Sequence, residues 1–357
     1  MVFARASSPH EHSALSTRQV MQYVLLATLP GLVALTWNFG WGTVINILLA
    51  STVAVGTEAA IVALRKRPVL FYLQDCSALV TAVLLGLALP PLAPWWLTVI
   101  GTLFAIGIAK HLYGGLGFNP FNPAMVGYVV LLISFPVPMT TWITPRDLLP
   151  AGVHLPDLWQ SLQIVFPILG APGQAVDAIT GATPLDAFKH HTGLLVEQIY
   201  AAEPLFSRAE IVSYGWEWVN LGFLAGGVWL IYKKVFTWHA PVAMLLGLTL
   251  MAALFYDGGS STSGGSPIMH LLSGATMLGA FFIVTDPVTS AASARGRLVY
   301  GASIGILVYI IRVWGNYPDA VAFAVLLMNF AAPLIDNYTL PRTYGHSKAR
   351  KATEKKP

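Results

Sequence analysis

Apolar stretches long enough to cross a membrane recur along the chain from residue 21 to residue 335, separated by shorter polar segments. A membrane-spanning helix needs roughly 20 predominantly apolar residues. The seventh and eighth stretches are short and flanked by Gly and Pro, so we expect one of them to be a broken or re-entrant helix. The pattern predicts an all-α integral membrane protein of about ten transmembrane helices, near residues 21–38, 43–64, 70–90, 94–110, 122–139, 217–236, 240–256, 266–284, 298–314 and 319–335.

The composition excludes a soluble two-domain protein of this length. Of the 357 residues, 55% are hydrophobic and only 10% are charged, and the mean hydropathy is +0.65; soluble domains carry about a quarter charged residues. A single cysteine, Cys76, excludes an intrachain disulfide and a self-contained four-cysteine iron–sulfur centre. Its thiolate could contribute to a cluster shared between subunits, but a lone cysteine in an apolar segment is usually a small hydrophobic side chain.

The positions of the basic residues predict the orientation of the spans. With the N-terminus inside, sixteen of the twenty Lys and Arg residues fall in cytoplasmic segments, and Arg312 lies near the outer end of the ninth span. An excess of Lys and Arg marks the cytoplasmic side of a membrane protein, so the net charge of +4 does not indicate nucleic-acid binding. The predicted regions are a cytoplasmic segment 1–20, a first membrane half 21–139, an outer loop 140–215, a second membrane half 216–340 and a basic cytoplasmic tail 341–357.

Each membrane half contains a turn in which a polar residue precedes proline at the inner end of a span. With an odd number of spans per half, one half would be inverted relative to the other, and paired interrupted segments of this kind point to a central binding site. We therefore predict that the two turns line one site near the membrane interior. The alternative is that they are ordinary helix-ending turns. The hydrogen-bonding residues of the two turns are Asn119, Asn122, Thr285 and Asp286.

The outer loop contains a short motif with a specific chemical meaning. The segment Asp177-Ala-Ile-Thr180-Gly181-Ala182-Thr183 resembles the flavinylation motif Asp-x-x-Ser/Thr-Gly-Ala-Thr, whose last threonine receives FMN through a phosphoester bond from an extracytoplasmic flavin transferase. A threonine hydroxyl is a poor nucleophile, so its modification requires an enzyme that recognises a short exposed segment. The small Gly181 and Ala182 leave the backbone accessible. The alternative is a Thr/Gly turn or a helix N-cap.

A second copy of the motif core provides an internal comparison. Ser273-Gly274-Ala275-Thr276 repeats the last four residues, but His270 replaces the aspartate and the segment lies in the apolar eighth span, where a soluble transferase has no access. Small residues at this position favour close helix packing. We therefore expect Thr183, and not Thr276, to carry the flavin.

Long stretches of the chain resemble one family of membrane subunits. They are Asp75-Cys-Ser-Ala-Leu-Val-Thr81, Gly117-Phe-Asn-Pro-Phe-Asn-Pro-Ala-Met125, the flavinylation segment, Trp238-His-Ala-Pro241 and the stretch from His270 to Val288. The chain resembles the D subunit of the Rnf ion-translocating oxidoreductase and is similar to the B subunit of the Na⁺-translocating NADH:quinone reductase. It lacks the longer N-terminal extension typical of the latter, which favours the Rnf family.

The resemblance implies a fold of two inverted five-helix halves, like that of urea channels. It also implies covalent FMN on Thr183 and a second, non-covalent flavin, riboflavin, in the membrane domain, for which we predict the two turns as the binding site. The implied subunit works in the bacterial inner membrane with other subunits of the complex, notably the flavin-bearing G subunit. It contributes to coupling electron flow between NADH and ferredoxin to Na⁺ or H⁺ transport, with its FMN loop periplasmic and both termini cytoplasmic.

Ionisable residues within the predicted spans are functional candidates because they are costly in lipid. We expect Glu58 to face the bundle interior, Asp75 to be satisfied by Lys110 or a backbone amide, and Arg312 and Asp336 to reach the membrane interface. None forms a recognisable metal site, and neither do the histidines of the predicted aqueous segments, which are interpreted as solvated. These histidines are His10, His12, His190, His191 and His346.

Two further functional classes are compatible with parts of the pattern. A passive channel or solute transporter would also use an inverted repeat, and a membrane anchor could merely hold the redox domain of a partner. A plain channel has no use for a flavin acceptor, so the segment from Asp177 to Thr183 favours a redox-driven ion translocase.

Overall fold

The structure is a computed structural model that describes residues 15–170, 176–191, 194–257, 264–315, 317 and 319–339. Most of this part of the chain is helical. The first half contains α1 (Thr17–Ala27), α2 (Leu29–Phe39), α3 (Gly42–Leu64), α4 (Val69–Leu73), α5 (Ser77–Ala88), α6 (Trp95–Leu103) continued by a π-helix (Phe104–His111), α7 (Pro123–Ser134) and α8 (Pro136–Thr140).

The region between the halves is folded into short elements. A two-residue antiparallel pairing places Trp142 opposite Gly181 and Ile143 opposite Thr180. The elements are β1 (Trp142–Ile143), a 3₁₀ turn (Arg146–Leu148), α9 (Leu158–Val165), 3₁₀ turns (Pro167–Leu169 and Val176–Ala178), β2 (Thr180–Gly181), α10 (Pro184–His190), α11 (Val196–Ala202) and α12 (Pro204–Ser207).

The second half begins with two continuous helices and then an interrupted one. Its elements are α13 (Trp216–Tyr232), α14 (His239–Leu254), α15 (Pro267–Leu272), α16 (Thr276–Leu278) continued by a π-helix (Gly279–Ile283), α17 (Ala294–Trp314) and α18 (Val321–Thr339).

Several of these helices have the length and composition of membrane spans. Among the described residues, four helical segments are long and apolar enough to cross a membrane: Thr17–Phe39, Gly42–Leu64, Ala294–Trp314 and Val321–Thr339. Shorter apolar helices accompany them, at Ser77–Ala88, Trp95–His111, Pro123–Ser134 and His239–Leu254. This helical, apolar architecture is that of an integral membrane protein.

Four of the predicted spans are interrupted. The first is divided between α1 and α2 at Thr28. We expected one of the seventh and eighth spans to be broken. The seventh, α14, is continuous, whereas the eighth is interrupted between α15 and α16. The predicted third span, 70–90, is not a single helix, because α4 ends at Leu73 and α5 begins at Ser77. The fifth is divided between α7 and α8 at Pro136, since proline cannot donate a hydrogen bond within a helix.

The interruptions of the third and eighth segments share one local geometry. Cys76 and Gly274 both adopt left-handed backbone conformations, with φ of 60° and 62°. In each case the next backbone amide donates to a carboxylate: the amide of Ser77 to Asp75 Oδ1 at 2.7 Å, and the amide of Ala275 to Asp319 Oδ2 at 2.7 Å. A left-handed conformation costs about 1–2 kcal/mol in a residue with a side chain, so the cap at Cys76 offsets local strain.

Glycines allow the helices of the second half to approach closely. The helices α14 and α17 pack along their lengths, and a Cβ atom at Gly301 or Gly305 would overlap the carbonyl oxygens of Ala240 and Met244. Without a hydrophobic driving force between helices in lipid, close backbone approach at small residues is a main source of association. The packing is therefore the kind expected of membrane helices.

Candidate functional site

Thr183 caps the N-terminus of α10. Its Oγ1 accepts a hydrogen bond from the amide of Asp186 at 3.3 Å and donates one to Asp186 Oδ2 at 2.7 Å. Thr183 is only 9% exposed, so the hydroxyl is engaged and covered in this conformation. The alternative reading as a helix N-cap thus describes the local structure, and a threonine in this role remains chemically able to accept a phosphoryl group.

The residues before Thr183 are much more accessible than the acceptor itself. Asp177, Gly181 and Ala182 are exposed, and the strand pairing at Gly181 holds them at the surface. A side chain at Gly181 would overlap Thr144 Oγ1, which explains the need for glycine there. We call residues 177–186 the anchor segment; its recognition features face solvent, whereas its acceptor hydroxyl points inward.

Below Thr183 the anchor segment rests on the interruption between α15 and α16. A Cβ at Gly274 would lie 2.8 Å from Leu185 Cδ1 and 2.9 Å from Asp319 Oδ2. Thr183 and Asp186 line a cavity of about 80 Å³ together with Asp319 and Tyr128. That volume accommodates a few water molecules, and a flavin ring on Thr183 would have to lie on the exposed side.

Lys189, on α10, lies in a partly desolvated environment. Lys189 Nζ donates to the carbonyl oxygen of Tyr317 at 2.8 Å. Burial lowers the pKa of the Lys189 ammonium from its ordinary value, and the negative charge of Asp186 partly opposes this shift. The anchor segment includes the carboxylate of Asp186 and therefore lies beside the ammonium of Lys189, which is on the same short helix.

A larger cavity lies between the two halves of the chain. Its volume is about 540 Å³, within the range of 300–1,000 Å³ typical of small-molecule and cofactor sites. We call it the central cavity. All four residues that the sequence singled out in the two turns line it: Asn119, Asn122, Thr285 and Asp286.

One hydrogen bond joins the two turns, and another connects the first turn to α18. Asn122 Nδ2 donates to Asp286 Oδ2 at 3.4 Å, and the amide of Asn122 donates to Asn329 Oδ1 at 3.0 Å. Asn329 in turn donates to the Tyr300 hydroxyl at 2.6 Å. Neither Asn329 nor Tyr300 was singled out from the sequence; the available signal was an asparagine in the middle of the tenth apolar stretch.

The turn residues also form hydrogen bonds within their own turns. Asp286 also caps its own turn by accepting from the amide of Val288 at 3.1 Å and from Thr289 Oγ1 at 3.0 Å, and the Thr285 hydroxyl donates to the carbonyl of Phe281. Asn119 Nδ2 donates to the carbonyl of Phe121, but its buried Oδ1 accepts no bond from the described residues. An orphaned buried acceptor in a cavity wall fits a ligand with an N–H or O–H group.

The remaining intramembrane charges are mostly paired. Glu58 is buried, as predicted, and contacts Lys110 and His111. Asp75 is satisfied by the amide and hydroxyl of Ser77. Asp336, half-buried, accepts from the amide of Ala292 at 2.9 Å.

Arg312 does not reach the interface, so that expectation was wrong. It is 5% exposed and donates to Asp319, to the carbonyl of His270 and to Thr276 Oγ1, at 3.2, 2.8 and 2.9 Å. The chain folds Asp319 back over the helix end, which removes the need for water. Thr276 is buried in this network.

The predicted aqueous histidines have mixed outcomes. His191 is half-buried and its Nε2 lies 3.4 Å from Glu203 Oε1. His10, His12 and His346 lie outside the described residues, as does the side chain of His190. Over the described part of the chain, no group of three or more His, Cys, Asp or Glu side chains is arranged to hold a metal ion.

Comparison with known proteins identifies the family. The model of the NQR2, RnfD, RnfE family matches residues 4–345. The chain belongs to this family. It is 58% identical to a protein of Cellvibrio japonicus over all of this chain and 99% of that protein, and 57% identical to one of Ectopseudomonas mendocina over 98% and 97%. A Citrobacter koseri protein is 52% identical over 97% of this chain and its own full length. Each is named as the D subunit of an ion-translocating oxidoreductase complex.

Proposed function

We propose that this chain is the flavin-bearing membrane subunit of an ion-translocating oxidoreductase complex, with FMN attached to Thr183 through a phosphoester bond. Family membership and the names of relatives that match nearly the full chain support the complex. The observation that carries the flavin assignment is the complete motif from Asp177 to Thr183, with Asp177, Gly181 and Ala182 exposed next to a single engaged hydroxyl.

The bound flavin would supply one- and two-electron redox chemistry that no side chain of this protein provides. The role of the anchor segment is to hold that group at a fixed place. Thr183 supplies the attachment oxygen, Pro184 restrains the chain after it, and α10 packs through Leu185 and Phe188 into a small apolar cluster. An extracytoplasmic flavin transferase would recognise Asp177, Thr180, Gly181 and Ala182.

The central cavity is proposed as the site of a non-covalent, phosphate-free flavin. Asn119, Asn122, Thr285 and Asp286 present hydrogen-bonding groups at its wall, and the apolar residues around them suit the faces of a ring. A neutral ligand avoids burying an unpaired charge in the membrane. The free Oδ1 of Asn119 supplies an acceptor for a ring or ribityl donor.

We also propose ten spans in two inverted halves, with both termini cytoplasmic and the loop 140–215 periplasmic in a multi-pass inner-membrane protein. The matched left-handed interruptions at Cys76 and Gly274 support the repeat, and the charge distribution supports the orientation. In this arrangement electrons reach the chain from the flavin-bearing G subunit, and the complex links NADH and ferredoxin to Na⁺ or H⁺ movement.

A passive channel of the same fold is the competing function. It would have the central cavity but no covalent flavin, so the adduct distinguishes the two. Mass spectrometry of the peptide from Asp177 to Lys189 should show an added FMN minus water when the transferase is co-expressed. In-gel flavin fluorescence should vanish in Thr183→Ala and persist in Thr276→Ala. An unmodified wild-type peptide would overturn the assignment.

The orientation has its own test. A C-terminal alkaline phosphatase fusion should be inactive and a C-terminal fluorescent-protein fusion bright. The reverse result would invert the proposed topology.

A further inference from the structure

Four buried polar side chains form a chain of contacts that ends at the central cavity. Lys110 Nζ donates to Glu58 Oε1 at 2.5 Å and to Ser77 Oγ at 2.7 Å, and His111 Nε2 lies 3.0 Å from the same Glu58 oxygen. All four are 4% exposed or less. We call Glu58, Ser77, Lys110 and His111 the lysine cluster. Its members come from three segments that are distant in sequence.

Two members of the lysine cluster reach the wall of the central cavity. Lys110 and Ser77 line it, as do Asn119 and Asp286. Lys110 therefore joins a carboxylate on one side to a ligand site on the other. An ammonium has three N–H donors, and the two bonds to Glu58 and Ser77 leave one for the cavity.

The two carboxylate oxygens of Glu58 have different hydrogen-bonding environments. Its Oε2 is buried and accepts no hydrogen bond from the described residues, whereas Oε1 receives both Lys110 and His111. A buried carboxylate with an unsatisfied oxygen is costly unless that oxygen has a role. Because both basic groups meet at one oxygen, a proton can pass from the imidazole to the amine through that single atom.

The protein around the lysine cluster contains few competing charges. Asp75, just before α5, contacts the cluster by accepting a hydrogen bond from the Ser77 hydroxyl. Arg65, at the end of α3, donates to the carbonyl oxygen of His111. The helices α6 and α7 also pack on the π-helix that carries Lys110 and His111, but neither contains a charged residue. The ionisable residue of α7, Tyr128, lines the smaller cavity instead. On the cavity side, the other ionisable residues of the wall are Lys234, His239, Asp286 and Arg297.

We propose that Lys110 is the proton donor for a redox ligand in the central cavity, and that His111 restores its proton through Glu58. This inference rests on the flavin proposed for that cavity. When one electron arrives from a donor in the complex, an N–H bond of Lys110 breaks and an N–H bond forms on a ring nitrogen of the ligand. The imidazolium of His111 then gives a proton to the Glu58 carboxylate at Oε1, and Glu58 passes it on to the neutral amine. A proton from solvent restores His111, so each electron is matched by one proton.

Replacement of Lys110 by arginine separates proton donation from fixed charge. Arginine keeps the positive charge and the donors, but it does not release a proton in proteins. The test uses the full chain with Thr183→Ala, so that only the non-covalent flavin is present, and records the rate of its reduction by dithionite between pH 6 and pH 8. This rate depends on the group that delivers the proton, and a positioned proton donor typically contributes about 100-fold or more.

Lys110→Arg should keep its flavin but be reduced about 100-fold more slowly than the chain with Lys110. The double variant Glu58→Gln/Lys110→Met covers the case in which arginine does not fit. It removes donor and acceptor together and should be slowed to a similar extent. Lys66→Arg, at an exposed lysine outside the cavity, should be reduced at the rate of the unsubstituted chain.

Two results would overturn the proposal in different ways. An unchanged reduction rate in Lys110→Arg or in the double variant would show that Lys110 does not donate the proton, although the cavity binds flavin. Absence of non-covalent flavin from the starting chain would overturn the cavity assignment itself, together with the role of Lys110.

Discussion

The hydroxyl of Thr183 donates a 2.7 Å hydrogen bond to Asp186, three residues further along the chain. The oxygen that is proposed to receive FMN is therefore turned toward its own helix and is 9% exposed. A transferase can reach it only when this contact opens, either transiently or before α10 packs.

Asp186→Ala should accelerate flavinylation of chain that has folded without the transferase. Loss of a hydrogen bond to a charged acceptor is worth roughly 1.5–3 kcal/mol, so we expect an increase of about tenfold or more in the initial rate. The measurement is in-gel fluorescence after addition of transferase and its flavin donor to the purified chain. Asp177→Ala, at an exposed motif position, should have the opposite effect. Equal rates in wild type and Asp186→Ala would show that the bond does not limit access.

Asn122→Ala and Asp286→Asn should each reduce the non-covalent flavin extracted per mole of chain. Each removes one hydrogen-bonding group from the wall of the central cavity, and a net loss of about 1 kcal/mol corresponds to roughly fivefold weaker binding. The adduct on Thr183 should be unaffected. Asn46→Ala, at a buried asparagine bonded to Pro90, provides the control for general destabilisation. If both cavity variants keep full flavin and turnover, the turns are only structural caps.

Arg312→Met and Asp319→Asn should both destabilise the protein in detergent. Each leaves part of the buried network around Arg312 without its partner, at a cost of about 3 kcal/mol. Because the residues are in contact, the double variant should lose less stability than the sum of the two single variants. Thermal unfolding measures all three. Arg208→Met, at an exposed arginine, should change stability by less than about 0.5 kcal/mol; strict additivity would contradict the pairing.

Gly305→Ala should weaken the packing of α14 against α17, because the added methyl group overlaps the carbonyl oxygen of Met244. Overpacking of this kind typically costs about 1–3 kcal/mol. Gly56→Ala is the matched control: it lies within α3 with open space around its Cα, and alanine there should stabilise the helix by up to about 1 kcal/mol. Similar unfolding temperatures for the two variants would rule out the close approach.

The sequence predicted an apolar, helical membrane protein, and among the described residues four helical segments are long enough to cross a membrane. It predicted an interruption in the seventh or eighth span from Gly and Pro, but missed the one at Cys76. The left-handed residue there is a cysteine and not a glycine, and its conformation is stabilised by the side chain of Asp75. The local signal was therefore Asp75, a residue that favours turns.

For the polar sites too, the sequence indicated short-range features but not the contacts between residues far apart in the chain. The two turns were recognised because each carries Asn or Asp before proline. The pairing of Lys110 with Glu58 joins residues 52 positions apart, and Asn329 reaches Asn122 from 207 positions away. The depth of Arg312 was misjudged because nothing in its neighbourhood shows that the chain returns to cover it.

The paired interruptions also change the barrier that a moving charge encounters. Helix α5 has 12 residues, about 18 Å at 1.5 Å per residue, against a hydrocarbon core of about 30 Å. In the proposed topology, polar backbone at Cys76 and Gly274 then lies within what would otherwise be low-dielectric material. Since the self-energy of an ion rises with the thickness of that layer, the two breaks would thin the insulating part of the membrane.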